Sequence, residues 1–308
     1  MLADSVAQNS SMDPRLYCCE SVGEEMTRAH QDPVLMRDRR VVQNLLLTED
    51  KYLPNSGYFK CVQQEIQPCM RKTVAMWMLE ICEEMKCEEE VFPLAMNYLD
   101  RYLSIVPSRK AHLQLLGAVC MFLASKLKDS NPLTAEKLCY YTENSINCQQ
   151  LMDWEVYVLS RLKWDLSAVT AHDFLEHLMS RLQLTSDRAD MVRRHAQTFI
   201  ALCATDFSFA MYPPSMICAA SIGAAAHGLL TSSSGTSAAE MNALLHRLSK
   251  LSNMEVDVLR SCIEQVEETV NTSLSTVDPL EQTPEKTRSP SASQLQPETP
   301  TDVREVHF

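Results

Sequence analysis

The chain has 308 residues, 45% hydrophobic and 22% charged, a globular composition long enough for about two domains. Only 6 glycines occur, too few for a turn-rich β architecture or for glycine-built phosphate loops, so helices are favoured. A formal net charge of −12 repels nucleic-acid backbones and argues against direct nucleic-acid binding.

Residues 1–35 are mixed and polar and are expected to form a disordered arm. Within it, Leu16-Tyr17-Cys18-Cys19-Glu20 spells L-x-C-x-E. In an extended chain Leu16, Cys18 and Glu20 share one face, two small apolar groups and a carboxylate that a groove could read. Patterns of five residues also arise by chance. Arg37-Asp38-Arg39-Arg40 is short and interrupted by an acid, so it reads as a solvated helix start rather than a phosphate track.

From Met70 to Lys86, Val74, Trp77, Met78, Ile81 and Met85 recur at helical spacing, with Arg71, Lys72, Glu80, Glu83 and Glu84 between them and Pro68 near the start. A second helix is expected over Phe92 to Leu103. The third, from about Ala111 to Leu127, is apolar nearly all round and must be the hub of its domain. Shorter helices over Thr134 to Tyr140 and Cys148 to Arg161 complete a set of five.

A comparable series restarts at Thr170, a candidate N-cap with Asp173 three residues on. Further helices are expected over Asp187 to Asp206, Pro213 to Leu230, Ser237 to Leu251 and Met254 to Val270. The Pro213 helix again lacks a polar face. Its apolar core, Met216 to Leu230, falls short of the roughly 20 residues a membrane span needs. The sequence thus reads as all-α, with two tandem five-helix domains over 36–166 and 167–272. Beyond them, 273–308 is a Ser/Thr/Pro/Glu-rich tail expected to be disordered. Thr283-Pro284, Ser289-Pro290 and Thr299-Pro300 are sites where a phosphate would add nearly two negative charges.

Catalytic patterns are scarce. His172 and His177 flank an Asp and a Glu, but residues five apart on a helix project about 140° apart, not onto one face as in H-E-x-x-H. No G-x-x-x-x-G-K-[ST], G-x-G-x-x-G or G-x-S-x-G occurs, and the 12 cysteines include no C-x-x-C pair. No metal site or cofactor is expected. With no signal-peptide pattern ahead of them, the thiols suit a reducing compartment, cytosol or nucleus.

Met70-Arg71-Lys72-Thr73-Val74-Ala75-Met76-Trp77, the run Cys87 to Leu103, Leu113-Gln114-Leu115-Leu116-Gly117 and Leu123-Ala124-Ser125-Lys126 resemble the cyclin box. Lys86 to Leu103 is similar to the D-type cyclins in particular. Pro132 to Leu138, His195 to Phe199, Pro213 to Met216 and Thr299 to Arg304 extend the resemblance over nearly the whole chain. Phe209-Ala210-Met211-Tyr212 and Tyr52-Leu53-Pro54 incline it to the second of three vertebrate paralogues.

The resemblance implies a regulatory subunit rather than an enzyme, one that binds and activates cyclin-dependent kinases of types four and six before DNA replication. In similar cyclins, the equivalents of Lys126 and Glu155 anchor the kinase; Leu127, Leu159 and Trp164 are apolar candidates for the same surface, although Leu159 suits core packing nearly as well. Docking would push the kinase αC helix inward so that its Glu pairs with the ATP-positioning Lys. Met70, Val74 and Trp77, at i, i+4 and i+7, resemble with Glu80 and Gln114 the patch that docks R-x-L peptides of substrates and inhibitors. Lys72 and Thr73 stand where many cyclins carry Ala and Ile and shrink its apolar area. Leu16, Cys18 and Glu20 would engage retinoblastoma-type pocket proteins. Thr299 would be the phosphorylation site controlling export from the nucleus to the cytoplasm and recognition by a ubiquitin ligase. Two other classes remain open from residues alone: a cyclin-box protein of the transcription machinery, which should carry a basic face, and a helical metallohydrolase resting on His172 and His177.

Overall fold

Two helices without a polar face organise the structure, a computed structural model that describes residues 31–143, 145–182, 184–232 and 238–277. Leu16, Cys18, Glu20 and Thr299 lie outside the described residues. The described residues up to 270 form one compact unit, and 271–277, which are helical, belong to a second. Every regular element among the described residues is a helix.

The chain becomes helical earlier than the expected end of the arm. Asp32 accepts the Val34 N–H at 2.7 Å and Pro33 takes the first helical position, which starts α1 (Pro33–Arg37). Asp38 then caps α2 (Arg39–Thr48) and pairs with Arg40, so the basic cluster is a solvated helix start as its interrupted sequence predicts. A 3-10 turn over Glu49–Tyr52 and the short α3 (Tyr58–Cys61) lead to the first five-helix set. It comprises α4 (Pro68–Glu84), α5 (Val91–Leu103), α6 (Leu113–Lys128), α7 (Ala135–Tyr141) and α8 (Cys148–Arg161).

In α6, Leu113 and every residue from Leu115 to Ser125 are buried, and α4, α5 and α8 pack around it. Gly117 permits a close approach of α4: a methyl group there would lie 3.0 Å from Val74 Cγ1 and 3.1 Å from the Met78 sulfur. The second set repeats the plan with α9 (Ala171–Met179), α10 (Ser186–Thr205), α11 (Pro214–Ser232), α12 (Ala238–Ser252) and α13 (Val256–Val277). Thr170 and Asp173 form the capping box that their spacing predicts, with the Thr170 N–H donating to Asp173 at 2.7 Å. In α11, Cys218 to Ala226 are buried, and a methyl on Gly223 would meet Ile263 Cδ1 at 2.5 Å.

Arg71, which the helical pattern of α4 assigns to a solvated face, is instead 1% exposed. Its Nε and Nη2 donate to both Asp100 oxygens on α5 at 2.9 and 2.7 Å. Its Nη1 and Nη2 also donate to the Thr205 and Ala204 carbonyls at the end of α10, at 2.7 and 3.0 Å. Tyr58 completes the cluster by donating to Asp100 at 3.0 Å. The polar position is therefore a joint between the two helix sets.

Further ties cross the same boundary. Lys128 pairs with Glu90 at 2.8 Å and with Asp173 at 3.4 Å. Burial opposes the Lys128 charge, but Asp173 and Glu90 outweigh it and hold its pKa above the usual value. From the 3-10 turn, buried Glu49 accepts the Ser215 N–H and hydroxyl, each at 2.8 Å, at the start of α11.

Arg71→Ala and Asp100→Ala should each cost about 3–5 kcal/mol in urea denaturation, because each strands a buried partner. The double variant should cost less than their sum, and Arg71→Lys should rescue poorly, lacking the fork that spans carboxylate and carbonyls. A second expectation concerns pH. Burial raises the Glu49 pKa despite the Ser215 hydrogen bonds. Above the ordinary glutamate value of 4.5 and up to the raised native value, the native state holds a proton the unfolded chain has released, so stability falls as pH rises through that window. The difference in stability between Glu49→Gln and wild type, followed from about pH 4 upward, should therefore grow in the variant's favour. A flat difference would remove the assignment.

Candidate docking surface

The last turn of α6 and the outer face of α8 meet at an ion pair. Lys126 Nζ lies 2.7 Å from Glu155 Oε1 and 3.6 Å from the centre of the Phe122 ring, one turn back on α6. An ammonium over an aromatic face is attracted to it, so Phe122 aims the lysine as well as shielding its stem. The Lys126 side chain remains 42% exposed and that of Glu155 15%, so the lysine presents the pair at the surface of the bundle.

Helix α8 is fixed at its start and along its middle. Asn147 accepts the Gln150 N–H at 2.7 Å as its N-cap, and Trp154 packs edge-on against His112 and Tyr157. Inward-facing Leu151, Val158 and Leu159 join the core. Leu159, at 6% exposure, is thus a core residue and not part of the exposed surface, a correction to the sequence reading. It lies on the α8 face turned toward α6, where burial decides its place.

Beside the ion pair the surface is apolar. Leu127 is 47% exposed, and on α8 Met152 and Val156, one turn apart, are 44% and 61% exposed. Sequence reasoning missed Met152 and Val156. The available signal was that α8 places apolar residues on its outer face as well as its inner one, more than the core requires. Trp164 is 67% exposed but lies beyond Arg161, the end of α8. It and Lys163 both have left-handed backbones, with φ of 58° and 56°, held where the Trp164 N–H donates to the Leu159 carbonyl at 3.0 Å.

On α4, Met70, Val74 and Trp77 form one half-buried stripe, with Glu80 exposed at its end. Gln114 is half-buried on α6, one turn before the Gly117 contact with Val74 that brings the helices together. Lys72 turns away toward Asp206 at 3.8 Å, and the Thr73 hydroxyl donates back to the Cys69 carbonyl at 3.1 Å.

The first half matches the family model "Cyclin, N-terminal domain" over residues 40–167, and the second matches "Cyclin, C-terminal domain" over 169–298. G1/S-specific cyclin-D2 of Xenopus laevis is 56% identical over 294 residues, covering 95% of this chain and 99% of that protein. The chain belongs to the D-type cyclins. Human G1/S-specific cyclin-D3 is similar at 55% identity over 298 residues, again covering 95% and 99%, so identity to the second and third paralogues is nearly equal. Among solved structures, a viral cyclin from herpesvirus saimiri superposes with a TM-score of 0.68 at 29% identity, covering 78% of this chain and all of the viral one.

A cyclin is a regulatory subunit of a protein kinase and not itself an enzyme. The acids between the two histidines that suggested a hydrolase are engaged elsewhere in this cyclin: Asp173 caps α9, and Glu176 accepts from Arg193 at 2.7 Å. His172 is buried, and burial lowers its pKa. Among the described residues no group of three or more His, Cys, Asp or Glu side chains could hold a metal ion, and no helix is long and apolar enough to cross a membrane.

Leu159→Ala should cost about 2–5 kcal/mol in thermal or urea denaturation, as a cavity in the core. Val156→Ala and Trp164→Ala should stay within roughly 0.5 kcal/mol of wild type, since both side chains are largely solvated. A large loss from Val156→Ala would show that the α8 outer face is structural.

Proposed function

We propose that this cyclin binds and activates cyclin-dependent kinases of types four and six and directs them to retinoblastoma-type pocket proteins, promoting the G1/S transition from the nucleus and cytoplasm. The observation that carries the reading is the outward-facing Lys126–Glu155 pair set among exposed Leu127, Met152 and Val156. Apolar groups that the free chain leaves in water gain most from a partner, and a charge pair at their edge fixes its orientation. The relatives' names, G1/S-specific cyclins, support the stage of the cell cycle. The cyclin contributes binding energy that differs between two kinase conformations, and no reacting group.

The remaining roles follow the same reading. Leu16, Cys18 and Glu20 recruit the pocket protein. The stripe of Met70, Val74 and Trp77, with Glu80 and Gln114, docks R-x-L peptides of substrates and kinase inhibitors, weakly because Lys72 and Thr73 supply no apolar area. Phosphorylated Thr299 is read by a ubiquitin ligase. A role on promoters is disfavoured by the net charge of −12.

Lys126→Glu sets two carboxylates against each other and should weaken kinase binding about 100-fold in a calorimetric or pull-down titration. Lys126→Ala should leave the stability of the free chain within about 1 kcal/mol, so that the binding loss is not one of folding. Cys18→Ala with Glu20→Ala should lower phosphorylation of pocket proteins several-fold while kinase assembly is unchanged. Undiminished kinase binding by Lys126→Glu would remove the surface, and loss of assembly in the arm variant would remove the recruitment role.

A further inference from the structure

The α7–α8 corner holds two thiols in contact. Cys139 Sγ, in α7, lies 3.4 Å from Cys148 Sγ, at the first position of α8. Cys139 is buried and Cys148 is half-buried, so Cys148 is the more accessible residue of the pair. Both backbones are held: the Thr142 hydroxyl donates to the Cys139 carbonyl at 2.8 Å, and Asn147 caps the helix that Cys148 begins. An S–S bond is about 2.0 Å long, so closure requires the sulfurs to approach by a little over about 1 Å, within reach of side-chain rotation.

We propose that Cys139 and Cys148 are a reversible disulfide site, closed by a small disulfide oxidant of the glutathione class. The Cys148 thiolate attacks one sulfur of glutathione disulfide, whose S–S bond breaks; the departing thiolate takes up the proton that Cys148 lost. Cys139 then attacks the Cys148 sulfur, expelling the second glutathione as a thiolate that gains the Cys139 proton. Two protein thiols are oxidised by two electrons in all, and one glutathione disulfide is reduced to two thiols. Order follows from position. Burial pushes the Cys139 thiol up to about 11, which suits it poorly to the first attack on a reagent in solution. The contact with Cys148 makes its second attack intramolecular. The bond closes a loop of ten residues and ties α7 to the first turn of the helix that carries Met152, Glu155 and Val156.

Trypsin releases Leu138–Arg161 as a peptide with no other cysteine, and cleavage after Glu143 separates the two thiols. The full-length chain is equilibrated with glutathione buffers of increasing oxidising strength, alkylated and mapped by mass spectrometry, with exposed Cys61 and Cys69 as internal references. The expected result is a peptide lighter by two hydrogen atoms and closed to alkylation, which stays joined after cleavage at Glu143. The melting temperature should rise by about 5 °C and return on reduction. Cys139→Ser should stop at a glutathione adduct on Cys148, and Cys148→Ser should leave Cys139 unmodified. The proposal is overturned if wild type itself stops at the Cys148 adduct. It is equally overturned if the peptide stays reduced where Cys61 and Cys69 are fully converted to mixed disulfides.

Discussion

A guanidinium cannot be buried for the sake of packing alone; it must find partners for its donors or unfold the region around it. Arg71 finds them in two places at once. The Asp100 carboxylate neutralises it from α5, and the Ala204 and Thr205 carbonyls at the end of α10 receive its remaining donors. Those carbonyls have no partners within their own helix, and the negative end of a helix dipole favours a cation there. Phe207 lies 5.7 Å from the guanidinium and stacks edge-on with Tyr58 and Phe59, closing the site to water. The two helix sets are thereby joined by directional bonds. Apolar contact alone would permit them to slide.

Once the joint is fixed, the hubs determine what is left over. Helix α6 is surrounded on nearly every side, and Gly117 lets α4 approach so closely that a methyl there would press on Val74 and Met78. Helix α8 can therefore cover only the remaining flank, and its inner residues Leu151, Val158 and Leu159 suffice for that. Met152 and Val156 have no place in the core and point outward. The C-terminal turn of α6 also emerges from the bundle here, which is why Lys126 and Leu127 reach solvent while Ser125 does not.

The sequence made the helices legible because their periods are strong. The apolar α6 and α11, the capping box at Thr170 and the proline at the start of α4 each leave a local signature that tertiary packing does not override. Residues whose role depends on distant partners were not legible. Arg71 looks like any solvated position of an amphipathic helix until Asp100 and the end of α10 are brought to it. Leu159 and Val156 are alike by type and three residues apart, yet one is core and the other surface, because only the placement of α6 decides which way α8 faces. The short α1 was hidden for another reason: five residues are too few to show a period, and only Asp32-Pro33 marked its start.

The division of labour on the docking surface follows from magnitudes. Shifting a kinase from about 1:99 to 99:1 in favour of its active form requires roughly 5.5 kcal/mol of differential binding. An exposed ion pair contributes about 0–1 kcal/mol, and even when desolvated it roughly breaks even against the loss of hydration. Lys126 and Glu155 alone are therefore too weak to drive the shift. Fully burying an aliphatic side chain contributes about 1.5–3 kcal/mol, and since Leu127, Met152 and Val156 are already about half covered, together they supply roughly 2–5 kcal/mol, most but not all of the required scale. They act only if the active kinase covers them more completely than the inactive one. The charge pair serves another purpose. Held at 2.7 Å on two packed helices, it would set, in the proposed complex, the register in which those apolar groups are covered.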